Sequence, residues 1–166
     1  MSDKNLNTLV IAYKNCLANG EIQTTYEQLV AIVQRLRTEF LKKHAHQYKV
    51  ANVLHGYIDY TYFYLHNDYL KSQKLKFAVV LNHKQANFEL WLLGQTKQIQ
   101  SQFWNKLKYT NWVNPDEMPK WSIIEAPLLP NPNFDDLQQL SASIHQSFET
   151  LSHEIVTILK ESKTSS

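Results

Sequence analysis

The sequence predicts an α+β fold: a single domain whose antiparallel-rich sheet of four or five strands packs against N-terminal helices and one long C-terminal helix. Three observations predict it. Apolar residues recur at spacings of three and four near both ends of the chain, and they alternate with a period of two through its middle. The chain is 166 residues long, enough for one domain whose core needs neither a disulfide nor a structural metal. No linker or internal repeat divides it, so the domain is expected over residues 1–161, with 162–166 as a flexible tail.

The elements follow in order. In LNTLVIAYKNCL, Leu6, Leu9, Val10, Tyr13 and Leu17 share one helical stripe, and Asn19–Gly20 stops it, because both residues tolerate positive φ. TTYEQLVAIVQRLRTEFLKK reads as a second helix, opened by a capping box from Thr24 to Glu27 or from Thr25 to Gln28. Leu29, Ile32, Val33, Leu36 and Phe40 form its buried face. Two helices so closely linked pack antiparallel or flank a sheet.

Residues 50–93 read as β. HGYIDYTYFYL alternates, with Tyr57, Asp59, Thr61, Phe63 and Leu65 on one face and Ile58, Tyr60, Tyr62 and Tyr64 on the other. KLKFAVVLN places Leu75, Phe77, Val79 and Leu81 on one side, and the connector HKQAN joins it to FELWLL as a hairpin. Gly94 ends that strand. Thr96 caps a helix in which Ile99, Phe103 and Leu107 repeat every four residues. NWVNPDEMPKW is a loop, and WSIIEAPLL is one more short strand. Asn133 or Asp135 then caps the last helix, whose stripe from Leu137 to Ile158 demands a long apolar partner surface. The sheet, the N-terminal helices or a second subunit could supply it.

Composition excludes several classes of function. Glycine occurs only three times, which argues against Gly-rich phosphate loops. A net charge of +2 does not by itself imply nucleic acid or a membrane. The lone Cys16 permits no internal disulfide and no cysteine zinc cluster, and it reads as a packed, inert thiol. With no basic stretch leading into an apolar run, and no apolar stretch of bilayer length, the expectation is a cytoplasmic protein with no membrane partner. No His-Glu-x-x-His, nucleophile elbow or Walker loop occurs. The pair His44 and His46 is opposed by Lys42, Lys43 and Lys49, and His83 reads as a solvated loop residue. No metal and no cofactor is therefore expected.

One constellation carries chemistry. Glu89 and Trp91 lie two residues apart on one strand face, and Asp59 is a carboxylate in an aromatic strand, where Asp is depleted. The ordinary reading is a solvated face with a covering ring. The sharper reading is a shared pocket lined by Asp59, Tyr62, Glu89, Trp91 and Trp104, with Gln100 at its rim. Two carboxylates among rings would favour a cationic or amine-bearing ligand. The leading expectation is thus a non-catalytic small-molecule or partner-binding protein. The alternative is a hydrolase or transferase using Glu89 or Asp59 as acid or base. Two further signals compete with the ordinary readings of a capped surface helix and a solvated charged face. One is an anion at the helix start near Lys97. The other is single-stranded nucleic acid along Lys71, Lys74, Lys76 and Lys84. The apolar C-terminal helix leaves a homo-oligomer open.

GYIDYTYFYL, LKFAVVLNHKQANFELWLLGQTKQIQSQFW and NPNFDDLQQL together resemble a family of small bacterial proteins known only as a domain of unknown function. The resemblance covers nearly the whole chain. It draws attention to Tyr57, Asp59, Thr61, Tyr62, Glu89, Trp91, Gln100 and Trp104, and it implies no activity. In order of elements the chain is also similar to restriction-endonuclease-like folds. Their acidic second strand and Glu-x-Lys third strand are not matched here: KLKFAVVL lacks a carboxylate, and Trp91 stands where the lysine would be. That resemblance implies, at most, an inactive nuclease-like accessory protein for nucleic acid.

Overall fold

A computed structural model describes residues 4–162. The expectation of a tail at 162–166 therefore lies outside the described residues, apart from Ser162. The element order is α1 (Leu6–Leu17), α2 (Glu21–Lys43), β1 (Lys49–Gly56), β2 (Tyr60–His66), α3 (Asp68–Ser72), β3 (Leu75–Asn82), β4 (Asn87–Gly94), α4 (Lys97–Leu107), β5 (Ile124–Leu129) and α5 (Leu137–Glu161). The five strands form one sheet in sequence order, and every neighbouring pair is antiparallel.

Alternation gives the sheet two different faces. Phe63, Leu65, Phe77, Val79, Leu90 and Leu92 point to the inner face and are at most 1% exposed. α2 covers this face over β1 and β2, α5 covers it over β4 and β5, and α4 packs on β4. The stripe on α5 thus meets the sheet and α2 within the same chain. The expected caps at Thr96 and the stop at Gly94 are as read, while α5 is capped by Asp136, one residue beyond Asp135. Gly94 is required by close approach, since a Cβ there would sit 2.7 Å from the Gln100 backbone nitrogen.

Four local expectations are corrected. HGYIDYTYFYL is not one strand: residues 57–59 form the turn between β1 and β2, and Tyr57 adopts φ 56° there. α2 starts at Glu21 with Gly20 (φ 77°) at its N-cap, so Thr24 and Thr25 lie inside the helix. No residue of α1 is buried; Leu6 is 73% exposed and Cys16 is an exposed thiol rather than a packed one. His83 is half-buried, bonded to the buried Thr61 hydroxyl at 2.7 Å and stacked on Tyr26. Among the described residues no helix is long and apolar enough to cross a membrane.

A polar array joins α2 to α5 inside the apolar layer. His145 Nε2 donates to Glu39 Oε2 (3.3 Å), which leaves His145 Nδ1 to accept from His44 Nε2 (2.9 Å). Ser141 also donates to Glu39, and Arg35 Nε reaches its other oxygen at 3.0 Å. The rings of Phe40 and Phe148 pack around both imidazoles. Burial, reinforced by the charge each imidazole would present to the other, pushes His44 down to about 4, and burial also lowers His145. Burial pushes the Glu39 carboxyl up, but the bonds from Ser141, Arg35 and His145 outweigh it and hold the group below its ordinary range.

His44 is therefore neutral in the fold down to about pH 4, while an unfolded chain protonates it near 6.5. Between these values the unfolded state binds more protons, so stability falls as pH drops from 6.5 toward 4. The expected loss is on the order of 2–3 kcal/mol, read by urea unfolding at pH 7 and pH 4.5. Equal stability at both pH values would show that His44 is not held neutral.

Candidate functional site

The outer face of the sheet carries no helix residue in its apolar cluster. On β2 it presents Tyr60, Tyr62 and Tyr64. On β3 it presents Lys76, Ala78 and Val80, and on β4 Glu89, Trp91 and Leu93. The register sets Val80 between Tyr62 and Glu89, and Ala78 between Tyr64 and Trp91. Small residues on the middle strand between rings on its neighbours leave a trough. Ala78 and Val80 form its floor at 1% exposure each, covered by the flanking side chains rather than by a helix. Tyr57 and Asp59 stand at one end, and Gly94 and Trp121 at the other, around a cavity of about 380 Å³. Tyr60 to Tyr64 spans about 13 Å of strand.

Glu89 beside Trp91 now has a physical explanation. The indole Nε1 donates to Glu89 Oε2 at 2.7 Å, and Asn82 reaches Oε1 at 3.4 Å. This bond draws the indole along β4, where it meets Tyr60 edge-on at 5.0 Å. The Glu89 carboxylate thus holds a wall of the trough in place. At this end burial raises the Tyr60 phenol, and Glu125, Glu89 and Asp59 raise it further. Burial also raises Glu125; the Ser122 hydroxyl at 2.7 Å opposes the shift, and Glu89 adds to it. At the other end burial lowers Lys76, whose ammonium lies 3.6 Å above the Tyr64 ring. Burial and the Tyr62 hydroxyl push Tyr64 up to about 12, so this phenol stays neutral. Among the described residues no Lys or Arg forms an ion pair with Asp59, Glu89 or Glu125.

The sequence-predicted site residues divide. Asp59, Tyr62 and Trp91 line the cavity, and Glu89 lies on the same face behind Trp91. Gln100 and Trp104 do not line it. Gln100 is buried and donates to the carbonyls of Pro119 (2.7 Å) and Ser122 (2.8 Å). Trp104 packs against the inner-face cluster, and its indole N–H is buried without a protein partner. Lys97 donates to the Lys120 carbonyl at 2.6 Å. Gln100 and Lys97 therefore fix the loop that delivers Trp121, a trough residue that sequence reasoning missed. Tyr60 and Tyr64 were within its reach, since alternation places them on the Tyr62 face. No group of three or more His, Cys, Asp or Glu among the described residues could hold a metal ion.

Residues 6–159 match a domain of unknown function, DUF7000. The chain belongs to the DUF7000 family. No curated protein and no solved structure matches it. In this DUF7000 chain the sheet is an all-antiparallel meander, and the outer face of β3 offers a lysine, an alanine and a valine at the trough.

Gln100→Leu leaves the Pro119 and Ser122 carbonyls without their donor. It is expected to lower stability by about 1–3 kcal/mol, with greater iodide quenching of Trp121 fluorescence. Unchanged unfolding and quenching would mean that Gln100 does not hold the loop.

Proposed function

We propose that this DUF7000 protein binds a small molecule in the outer trough without transforming it, and that the ligand carries a planar ring and an amine. The observation behind this reading is the small floor of Ala78 and Val80 between aromatic walls, closed at one end by the Asp59 carboxylate, which forms no ion pair among the described residues. Rings that flank a narrow floor favour a planar body, and Asp59 favours an ammonium or amino group. Tyr62 and Trp91 serve as walls. Glu89 acts as the support of Trp91, because its oxygens are already engaged by the indole and Asn82.

The mouth adds support. Tyr57 is 90% exposed and Trp121 58% exposed, and both border the cavity. Two large rings left in water beside an aromatic trough are suited to closing over a ligand. Neither is needed for the core, so each can be truncated without unfolding the protein.

The test is thermal-shift and calorimetric titration with aromatic amines such as tryptamine and phenethylamine. Saturable binding is expected, weakened at least tenfold by Asp59→Asn or by Trp121→Ala, with unliganded unfolding midpoints unchanged. No binding by any aromatic amine, or binding that both variants leave intact, overturns the reading.

A further inference from the structure

A second depression adjoins the trough. It measures about 270 Å³ and is lined by His66, Lys71, Lys74, Leu75, Lys76 and Gln95. Lys76 lines both spaces, so the basic notch continues the end of the trough opposite Asp59. Among the described residues none of the three lysines forms an ion pair. One face of the sheet therefore carries carboxylates without cationic partners at one end, ammonium groups without anionic partners at the other, and rings between them. Ends that differ in this way complement a ligand that is anionic at one end and offers N–H donors to a carboxylate at the other.

The backbone marks the same two ends. Only Tyr57 (φ 56°), Lys74 (φ 58°) and Ala86 (φ 49°) among the described non-glycine residues have positive φ. Ala86 closes the turn between β3 and β4. Tyr57 stands at the acidic end of the trough, and Lys74 stands in the basic notch that adjoins its other end. Each is held from outside: the Tyr26 hydroxyl donates to the Tyr57 carbonyl at 3.0 Å, and the Gln95 N–H to the Lys74 carbonyl at 2.9 Å. Gly or Asn would occupy either position with less strain, yet a long functional side chain stands at both.

We propose that the ligand is an amino-bearing mononucleotide. Its phosphate sits among Lys71, Lys74 and Lys76, its planar base lies against the rings of Tyr62, Tyr64 and Trp91, and its amino edge turns toward Asp59. This proposal rests on the trough being a ligand site and adds the ligand's polarity. The lysines supply point charges for the single phosphate, with no Gly-rich loop required.

Calorimetry on the intact protein with adenosine monophosphate, adenosine and uridine monophosphate tests it. Adenosine monophosphate is expected to bind at least tenfold more tightly than adenosine, which lacks the phosphate. It should also bind at least tenfold more tightly than uridine monophosphate, which lacks the amino group. Combining Lys71→Ala with Lys74→Gly should erase the first difference, and Asp59→Asn the second. Lys74→Gly alone should unfold at the same temperature as the parent or higher, which separates lost binding from lost folding. If adenosine or uridine monophosphate binds as tightly as adenosine monophosphate, the polarity is wrong. If inorganic phosphate displaces adenosine monophosphate at equal concentration, the notch holds only a simple anion and the proposal is overturned. Binding of aromatic amines with no binding of nucleotides overturns this inference and leaves the trough reading standing; binding of neither overturns both.

Discussion

The outer face depends on the register of β3. A slip of one residue would replace the Ala78 and Val80 floor with Phe77 and Val79 and fill the trough. What prevents the slip lies on the other side of the sheet. Phe77, Val79 and Leu81 are each at most 1% exposed beneath the helices. Burying a side chain of this size contributes about 1.5–3 kcal/mol, so a slipped strand would forfeit several such terms at once. The inner core sets the geometry of the outer face through strand alternation, although no core residue touches the trough.

The helices can leave one face uncovered because they are strongly joined on the other. α2 and α5 meet through Phe40 and Phe148 and through the Glu39–His145–His44 array. The array fixes which helix surfaces face each other, and every member finds a partner, as a buried polar group requires. α4 has a different task. It closes on the end of β4 where Gly94 allows the Gln100 backbone to approach, and from there Gln100 and Lys97 grip the loop that carries Trp121. One end of the trough is thus held through α4, and the other through Tyr26 of α2 and its bond to the Tyr57 carbonyl.

The parts legible in the sequence were those with strong periodicity or clear caps: α5, α4 with Thr96, and the β3–β4 hairpin. Tyr62 and Trp91 were legible because a period of two survives within each true strand. The reading failed where the backbone departs from what side chains advertise. The turn at 57–59 contains no Gly, Pro or Asn, so alternation was carried through it and Asp59 was assigned to the Phe63 face. Thr24 and Glu27 resemble a capping box, but Gly20 had already opened the helix. The four-residue spacing of Gln100 and Trp104 says that they share a side of a helix, not which surface that side meets. Trp121 opens WSIIEAPLL, which reads as a strand, but β5 begins only at Ile124, and alternation does not say which earlier strands a residue ahead of it meets.

One of these failures, the turn at 57–59, coincides with backbone strain. A sequence specifies a fold most clearly when local preference and tertiary context agree, and disagreement concentrates where strain is tolerated. Tyr57 and Lys74 adopt a left-handed conformation that costs roughly 1–2 kcal/mol for a residue with a Cβ. Against the 5–15 kcal/mol that separates typical folded and unfolded states, two such positions are a substantial concession. Replacement by glycine would relieve both, and the surrounding bonds from Tyr26 and Gln95 would still define the turns. The side chains themselves are therefore the distinguishing feature of these positions: one places an aromatic ring at the acidic end of the trough, and the other an ammonium in the notch that adjoins its far end.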